Sequence, residues 1–137
     1  MNDLFLDTGY VVALISDKDQ HRERARELSE EIKQSRPRIV NTQAVLVEMA
    51  NALAAPDRRA VVAAYIEMLR REPFVEIVPS SQELLQRSFS LYKERQDKAW
   101  GWTDCMSFVA MRDRDITDAL STDRHFQQAG FNALLRE

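Results

Sequence analysis

Short apolar runs recur along this chain between longer stretches of helical periodicity, and that alternation narrows the fold more than any other feature. "LFLD" (Leu4–Asp7) is too short, and too quickly ended, to be a helix, so it reads as a buried strand. Arg38–Asn41, Phe74–Val78 and Asp118–Thr122 read as further strands, and Asn132–Leu135 as a fifth. Helices lie between them. Tyr10–Ile15 follows a Thr8-Gly9 turn, and His21–Ser35 carries Ala25, Leu28 and Ile32 at helical spacing with charges elsewhere. Thr42–Ala55 is closed by Pro56. Asp57 caps the next helix, whose buried stripe is Val61, Ala64, Tyr65 and Met68. Ser80 and Ser81 cap a helix to Arg95, with Leu84, Leu85, Ser88, Leu91 and Tyr92 inward; Thr103 or Asp104 caps another, through Arg112. Strands alternating with helices make a parallel sheet, because each parallel crossover lays its helix over the sheet. The expected fold is α/β: one domain over residues 1–137, with a parallel sheet of about four to five strands flanked by helices on both faces.

A chain of 137 residues with 45% hydrophobic residues can bury a proper core. Its net charge of -3 gives no broad basic field for nucleic acid, although a local basic face stays open. Cys105 is the only cysteine, so there is no internal disulfide and no cysteine-built zinc site; a reducing cytoplasm suits it. Asp3 and Asp7 argue against a signal peptide, and no uncharged stretch has the length of a membrane span.

"FLDTGYVVALI" places Asp7 inside an apolar run, where a charge is costly unless something pairs with it. In parallel α/β sheets ligands gather beyond the carboxyl ends of the strands, and Asp7 and Asp123 both stand at such ends. Glu48 is the only charged residue from Ile39 to Pro56, on a helix apolar on nearly every side, so it points into something crowded. Its neighbours Ala44 and Ala52 leave room above the carboxylate; a glutamate at the solvent edge of a core helix, or one paired with a buried arginine, explains it equally well. Asp104 alone is a helix-start aspartate, and Asp123 alone a turn residue. Jointly, four carboxylates on one rim would repel and raise one another's pKa. Mg²⁺ or Mn²⁺, which take oxygen ligands, would remove that penalty, helped by hydrogen bonds from Thr8 and Thr122. Such a cation can bind a phosphodiester oxygen and lower the pKa of a water, so no histidine or cysteine nucleophile is required. His21 and His125 read as surface histidines, His125 being the nearer to the rim.

"LDTGYVVAL", "VEMANAL", "TDCMSF" and "LSTDRHF", in this order and at these separations, resemble the PIN-domain ribonucleases, in particular the VapC-type toxins of type II toxin–antitoxin systems. The resemblance covers nearly the whole chain; its specificity lies in the ordered set rather than in any single motif. It implies a single PIN-like nuclease domain with an acidic quartet of Asp7, Glu48, Asp104 and Asp123. Asp7 and Asp104 would be the strongest metal ligands, with Glu48 and Asp123 completing the site directly or through water. Thr8 and Thr122 would match the small polar residues that orient the ligands. The implied activity is Mg²⁺-dependent cleavage of RNA phosphodiesters by metal-activated water, with Mn²⁺ able to substitute. The implied partners are RNA, a second copy in a homodimer, and a small cognate antitoxin, in the cytoplasm. Asp97, in "ERQDKAWGWTD", either replaces Asp123 as an outer member or pairs with Lys98; the pair, or a structural role, is the preferred reading. Trp100 and Trp102 flank Gly101 and either stack on an unpaired base or, by preference, serve packing or a dimer contact.

Arginines that could meet phosphate are Arg22, Arg24, Arg26, Arg36, Arg38, Arg58, Arg59, Arg70, Arg71, Arg112 and Arg114, with Glu23, Glu27, Glu30 and Glu31 weakening the first group. Two other classes compete. A phosphatase-like phosphoryl-transfer domain needs a second aspartate two residues after the first, where this chain has Gly9. A receiver domain needs an acidic pair after its first strand and a lysine after its last central strand, where Asp7 is alone and Arg124 is no lysine. The other class is a non-catalytic α/β binding module or degenerate PIN domain.

Overall fold

In the computed structural model, which describes residues 1–137, the apolar run Leu4–Leu6 forms the central strand, β1. Beside it lie β2 (Ile39–Thr42) and then β3 (Val75–Val78); on its other side lie β4 (Asp118–Leu120) and then β5 (Asn132–Ala133). All pairings are parallel, with Leu4 opposite both Ile39 and Asp118. Leu4, Phe5 and Leu6 are all buried, as is every residue of β2. Successive strand residues face opposite sides, so both faces of the sheet are covered. The covering elements are α1 (Thr8–Ile15), α2 (Arg22–Ser35), α3 (Gln43–Ala52), α4 (Arg59–Arg71), α5 (Gln82–Glu94), α6 (Trp102–Asp113) and α7 (Arg124–Gln128), followed by a 3-10 turn at Leu134–Arg136. None is long and apolar enough to cross a membrane.

Helix α6 is the most deeply set, with Cys105 to Met111 buried without a break. A helix apolar on all sides is stable only inside a core. Its Phe108 meets Phe126 edge-on at 5.1 Å and Trp100 at 5.0 Å. Helix α5 packs along it, capped by Ser81, whose hydroxyl accepts the Leu84 N–H at 3.1 Å. Thr42 caps α3 in the same way.

Several boundaries differ from the sequence expectation. Thr8-Gly9 is no turn: α1 begins at Thr8, and Asp7 holds its N-cap position. Helix α3 ends at Ala52, before Pro56. The cap position of α4 is Arg58 rather than Asp57, and the buried stripe is shifted by one residue: Val62 and Leu69 are inside and Val61 is 54% exposed. Tyr92 points outward. Gly101 is the N-cap of α6, which puts Asp104 one turn inside the helix. β4 stops at Leu120, and the unexpected α7 follows with Asp123 as its cap.

The order β3-β2-β1-β4-β5 locates a crevice. The chain winds one way from β1 to β3, then returns to build the opposite side with β4 and β5. The reversal lies between β1 and β4, and in sheets of this kind the ligand crevice lies beyond the carboxyl ends of the two strands at the reversal. Asp7 follows the first of these strands directly; Ser121, Thr122 and Asp123 follow the second.

Candidate active site

Asp7 is 9% exposed, and its backbone N–H donates to the Leu120 carbonyl at 3.3 Å, extending the β1–β4 ladder by one step. Ser121 Oγ donates to its Oδ2 at 2.7 Å. Burial pushes the Asp7 carboxyl up to about 7, and Glu48 and Asp104 add to the rise; the Ser121 hydroxyl and the Thr8 backbone N–H oppose it. No lysine or arginine pairs with it.

Glu48 reaches the same rim from α3. It is exposed rather than enclosed, because α3 turns Val45, Leu46 and Met49 inward and leaves Val47, Glu48 and Ala50 outside. Thr8 Oγ1 donates to Glu48 Oε1 at 2.8 Å, which ties the start of α1 to the middle of α3.

Asp104 comes from the first turn of α6, where its Oδ2 accepts the Gly101 N–H at 3.0 Å. The capping role and the site role therefore fall on one residue. Burial raises its pKa, the Asp123 charge adds to the rise, and the Gly101 N–H and His125 work against it. Asp123 Oδ1 accepts the His125 N–H at 2.8 Å, the capping bond of α7. The same turn brings His125 Nδ1 to 3.1 Å from Asp104 Oδ2 and 3.3 Å from Asp123 Oδ1. Donor atoms of Asp104, Asp123 and His125 all lie within 4.8 Å of one another. His125 is thus a member of the cluster and not a surface bystander. Its signal is an aspartate cap two residues ahead, which turns the histidine back over the start of the helix; the expectation missed it with α7.

The four carboxylates share a pattern. Each commits one oxygen to the protein: Asp7 Oδ2 to Ser121, Glu48 Oε1 to Thr8, Asp104 Oδ2 to Gly101 and His125, and Asp123 Oδ1 to His125. The second oxygen of each takes no side-chain hydrogen bond. A set of oriented oxygens with one imidazole and no balancing lysine or arginine is chemistry that a hard divalent cation fits.

Two supporting roles are redistributed. Ser121, not Thr122, bonds Asp7, because β4 ends one residue before the hydroxyl in question. Ser121 Oγ also accepts the Asp123 N–H at 3.0 Å, so a single hydroxyl joins the two walls of the crevice. Thr122 instead lies against Gly9: a Cβ at Gly9 would fall 2.5 Å from Thr122 Oγ1 and 3.2 Å from its backbone nitrogen. Asp97 is engaged elsewhere. Arg95 grips it through two bonds of 3.0 and 3.2 Å, with Lys98 at 3.8 Å, so its main partner is Arg95 and it stands outside the cluster.

Most of the candidate arginines that form contacts are used structurally. Arg38 and Arg114 both hold Glu76, Arg22 bonds the Leu14 carbonyl and Asp17, and Arg24 bonds the Leu134 carbonyl. Two cations not singled out from the sequence stand at the rim. Arg124 opens α7 and is exposed with no ion pair, and Arg136 Nη1 donates to the Thr122 carbonyl at 3.0 Å.

The fold is similar to that of VapC20 from Mycobacterium tuberculosis, a sarcin-ricin-loop-cleaving toxin, with a TM-score of 0.81, 22% identity, and coverage of 95% of this chain and 97% of that one. FitAcB from Neisseria gonorrhoeae is similar at a TM-score of 0.66, 14% identity and 94% of each chain. VapBC2 from Rickettsia felis, bound to a promoter DNA fragment, is similar at 0.65, 15% identity and 93% of each chain. At these identities the likenesses speak for the fold alone. No curated protein matches the sequence. The PIN-domain family model matches residues 4–132, a span that runs from the first strand to the last and takes in every carboxylate of the crevice, and the chain belongs to the PIN-domain family.

Proposed function

We propose that this chain is a metal-dependent endoribonuclease and the toxin of a toxin–antitoxin pair, with residues 1–137 acting as one unit. The observation that carries the reading is the crevice itself: four carboxylates, each with one oxygen anchored by a side chain or cap, and no lysine or arginine paired with them. Asp7 and Asp104 would hold Mg²⁺, or Mn²⁺ in its place, with Glu48 and Asp123 completing the site directly or through water. When bound, the cation supplies Lewis acidity to the phosphodiester and lowers the pKa of a water. The protein's own groups do the positioning. Ser121 fixes the rotamer of Asp7, Thr8 fixes Glu48, and His125 holds Asp104 and Asp123 to one geometry. Arg124 and Arg136 place positive charge where a phosphate backbone would arrive. The toxin assignment draws on the resemblance of the motifs and on the fold shared with VapC20; a small cognate antitoxin, a homodimer and a cytoplasmic RNA substrate follow from it. Gly9, two residues after Asp7, stands where a phosphatase-type mechanism needs its second aspartate.

The test is cleavage of a mixed RNA pool with Mg²⁺ or Mn²⁺ and with EDTA, by the wild type and by the Asp7→Asn and Asp104→Asn variants. Cutting that needs the metal and disappears in both variants is the expected outcome. Cutting that survives in both would place the chemistry elsewhere. A folded wild type that binds metal and RNA but never cuts would be a non-catalytic binding module.

A further inference from the structure

The segment leading into α6 leaves a group of aromatic rings in solvent. Phe89, Tyr92 and Trp102 are 42%, 47% and 42% exposed. Phe89 stacks on Tyr92, centroids 6.0 Å apart and planes 16° apart, and meets Trp102 at 5.3 Å. With Arg95, Lys98 and Trp100 they line an open pocket of about 730 Å³. Adjacent exposed rings form a contiguous apolar surface, which marks a contact site more often than scattered ones do.

The two tryptophans have separate roles. Trp100 is 4% exposed, donates to Gln128 and packs edge-on to Phe108, so it belongs to the core. The Trp102 indole N–H donates at 2.9 Å to Ser88 Oγ, a buried hydroxyl. That bond satisfies the only polar group of the indole and fixes the ring while much of its surface stays open.

Charge selects the occupant. The lining includes Arg95 and Lys98 and no carboxylate, and Lys93 Nζ stands 5.5 Å from the Phe89 ring centroid. Asp97, outside the lining, offsets part of this charge through its bonds to Arg95 and Lys98. Flat apolar rings beside cations suit a ligand with a π face and a phosphate, which is an unpaired nucleotide. Location agrees through the backbone: Gly101 lines the pocket, and its N–H donates to Asp104 Oδ2 at 3.0 Å, while the Trp102 and Asp104 side chains leave the helix on different sides.

We propose that this pocket is a subsite for an unpaired RNA base next to the acidic crevice, so that the protein selects single-stranded or flipped-out nucleotides beside the bond it cuts. The proposal rests on the RNA reading of the crevice. It is tested on the full chain in EDTA, where no cutting occurs, by titrating a short oligoadenylate and following tryptophan fluorescence. Saturable quenching is expected. Trp102→Phe should remove most of the quench while keeping the affinity, since stacking survives. Trp102→Leu should weaken binding by about 5- to 150-fold. Tyr92→Ala, at an outward-facing position, tests the same surface if Trp102→Leu fails to fold. Neither truncation should alter binding of the corresponding RNA duplex. Unchanged fluorescence, quenching that persists in Trp102→Phe, or truncated variants that bind like the wild type would overturn the proposal. So would a wild-type dimer that Tyr92→Ala splits without loss of RNA affinity, because the rings would then cover a second copy. A wild type that cuts RNA while the truncated variants cut with unchanged KM would refute the subsite and leave the nuclease reading standing. Quenching through Trp102 in a protein that cuts no RNA would keep the subsite and remove the nuclease reading.

Discussion

Replacing Asp7 with asparagine should stabilise the metal-free protein, and by an amount that depends on pH. The folded carboxyl is pushed from 3.8 to about 7, chiefly by burial. As pH rises from about 4 to 7, the unfolded chain gives up a proton that the folded chain keeps. Stability therefore falls across that window and is flat above it. At about 1.4 kcal/mol per unit, the ionised Asp7 costs on the order of 4 kcal/mol at pH 8 but only about 1.5 kcal/mol at pH 5. Asparagine removes this cost but weakens the charge-assisted bond from Ser121, by about 1 kcal/mol. The net gain is then roughly 3 kcal/mol at pH 8, or roughly 10 °C in Tm, and near zero at pH 5. The assay is urea unfolding of both proteins in EDTA at the two pH values. Comparing the proteins at each pH cancels the groups whose surroundings the substitution leaves unchanged. Mg²⁺ should narrow the gap at pH 8: at about 100 times its Kd it returns about 2.7 kcal/mol to the wild type and less to the variant, which offsets most of the variant's advantage. An advantage of equal size at pH 5 and pH 8, or a variant less stable at pH 8, would refute the argument that burial and neighbouring carboxylates set the state of Asp7.

Gly9→Ala drives a methyl group into Thr122, including its backbone nitrogen, so the β4 end of the crevice must move away from α1. A loss of about 1–3 kcal/mol is expected by thermal unfolding, with RNA cleavage reduced beyond what the unfolded fraction explains. Arg124→Gln should weaken single-stranded RNA binding without changing Tm. It should also flatten the slope of log K against log salt by about 0.7, the contribution of a single phosphate contact; an unchanged slope would remove Arg124 from the RNA path.

The alternation of strands and helices could be read from the chain because each strand is a compact apolar run between amphipathic stretches. The place of Asp7 and Asp123 followed from the general position of ligands in such sheets. What escaped the reading was finer than its periodicities. β4 ends two residues early, and that slip exchanges Thr122 for Ser121 as the partner of Asp7. A one-residue rotation of α4 exchanges Val61 for Val62. The five-residue α7 is too short to show a hydrophobic period, so the position of His125 was hidden with it. Glu48 looked enclosed because Val47 and Ala50 on its own side are apolar yet lie in solvent.

The Ser121–Asp7 bond joins residues 114 positions apart. At about 5–20 residues per second, synthesis from one wall of the crevice to the other takes on the order of ten seconds. During that interval Asp7 exists without Ser121, Asp123 or His125, and β1 lacks its β4 neighbour. A chain that has not yet reached Ser121 cannot hold the assembled cluster, since its far wall follows the near one by 114 positions. The order of the strands thus sets the order of assembly: the carboxylates of the two walls come together only once the sheet closes around β1.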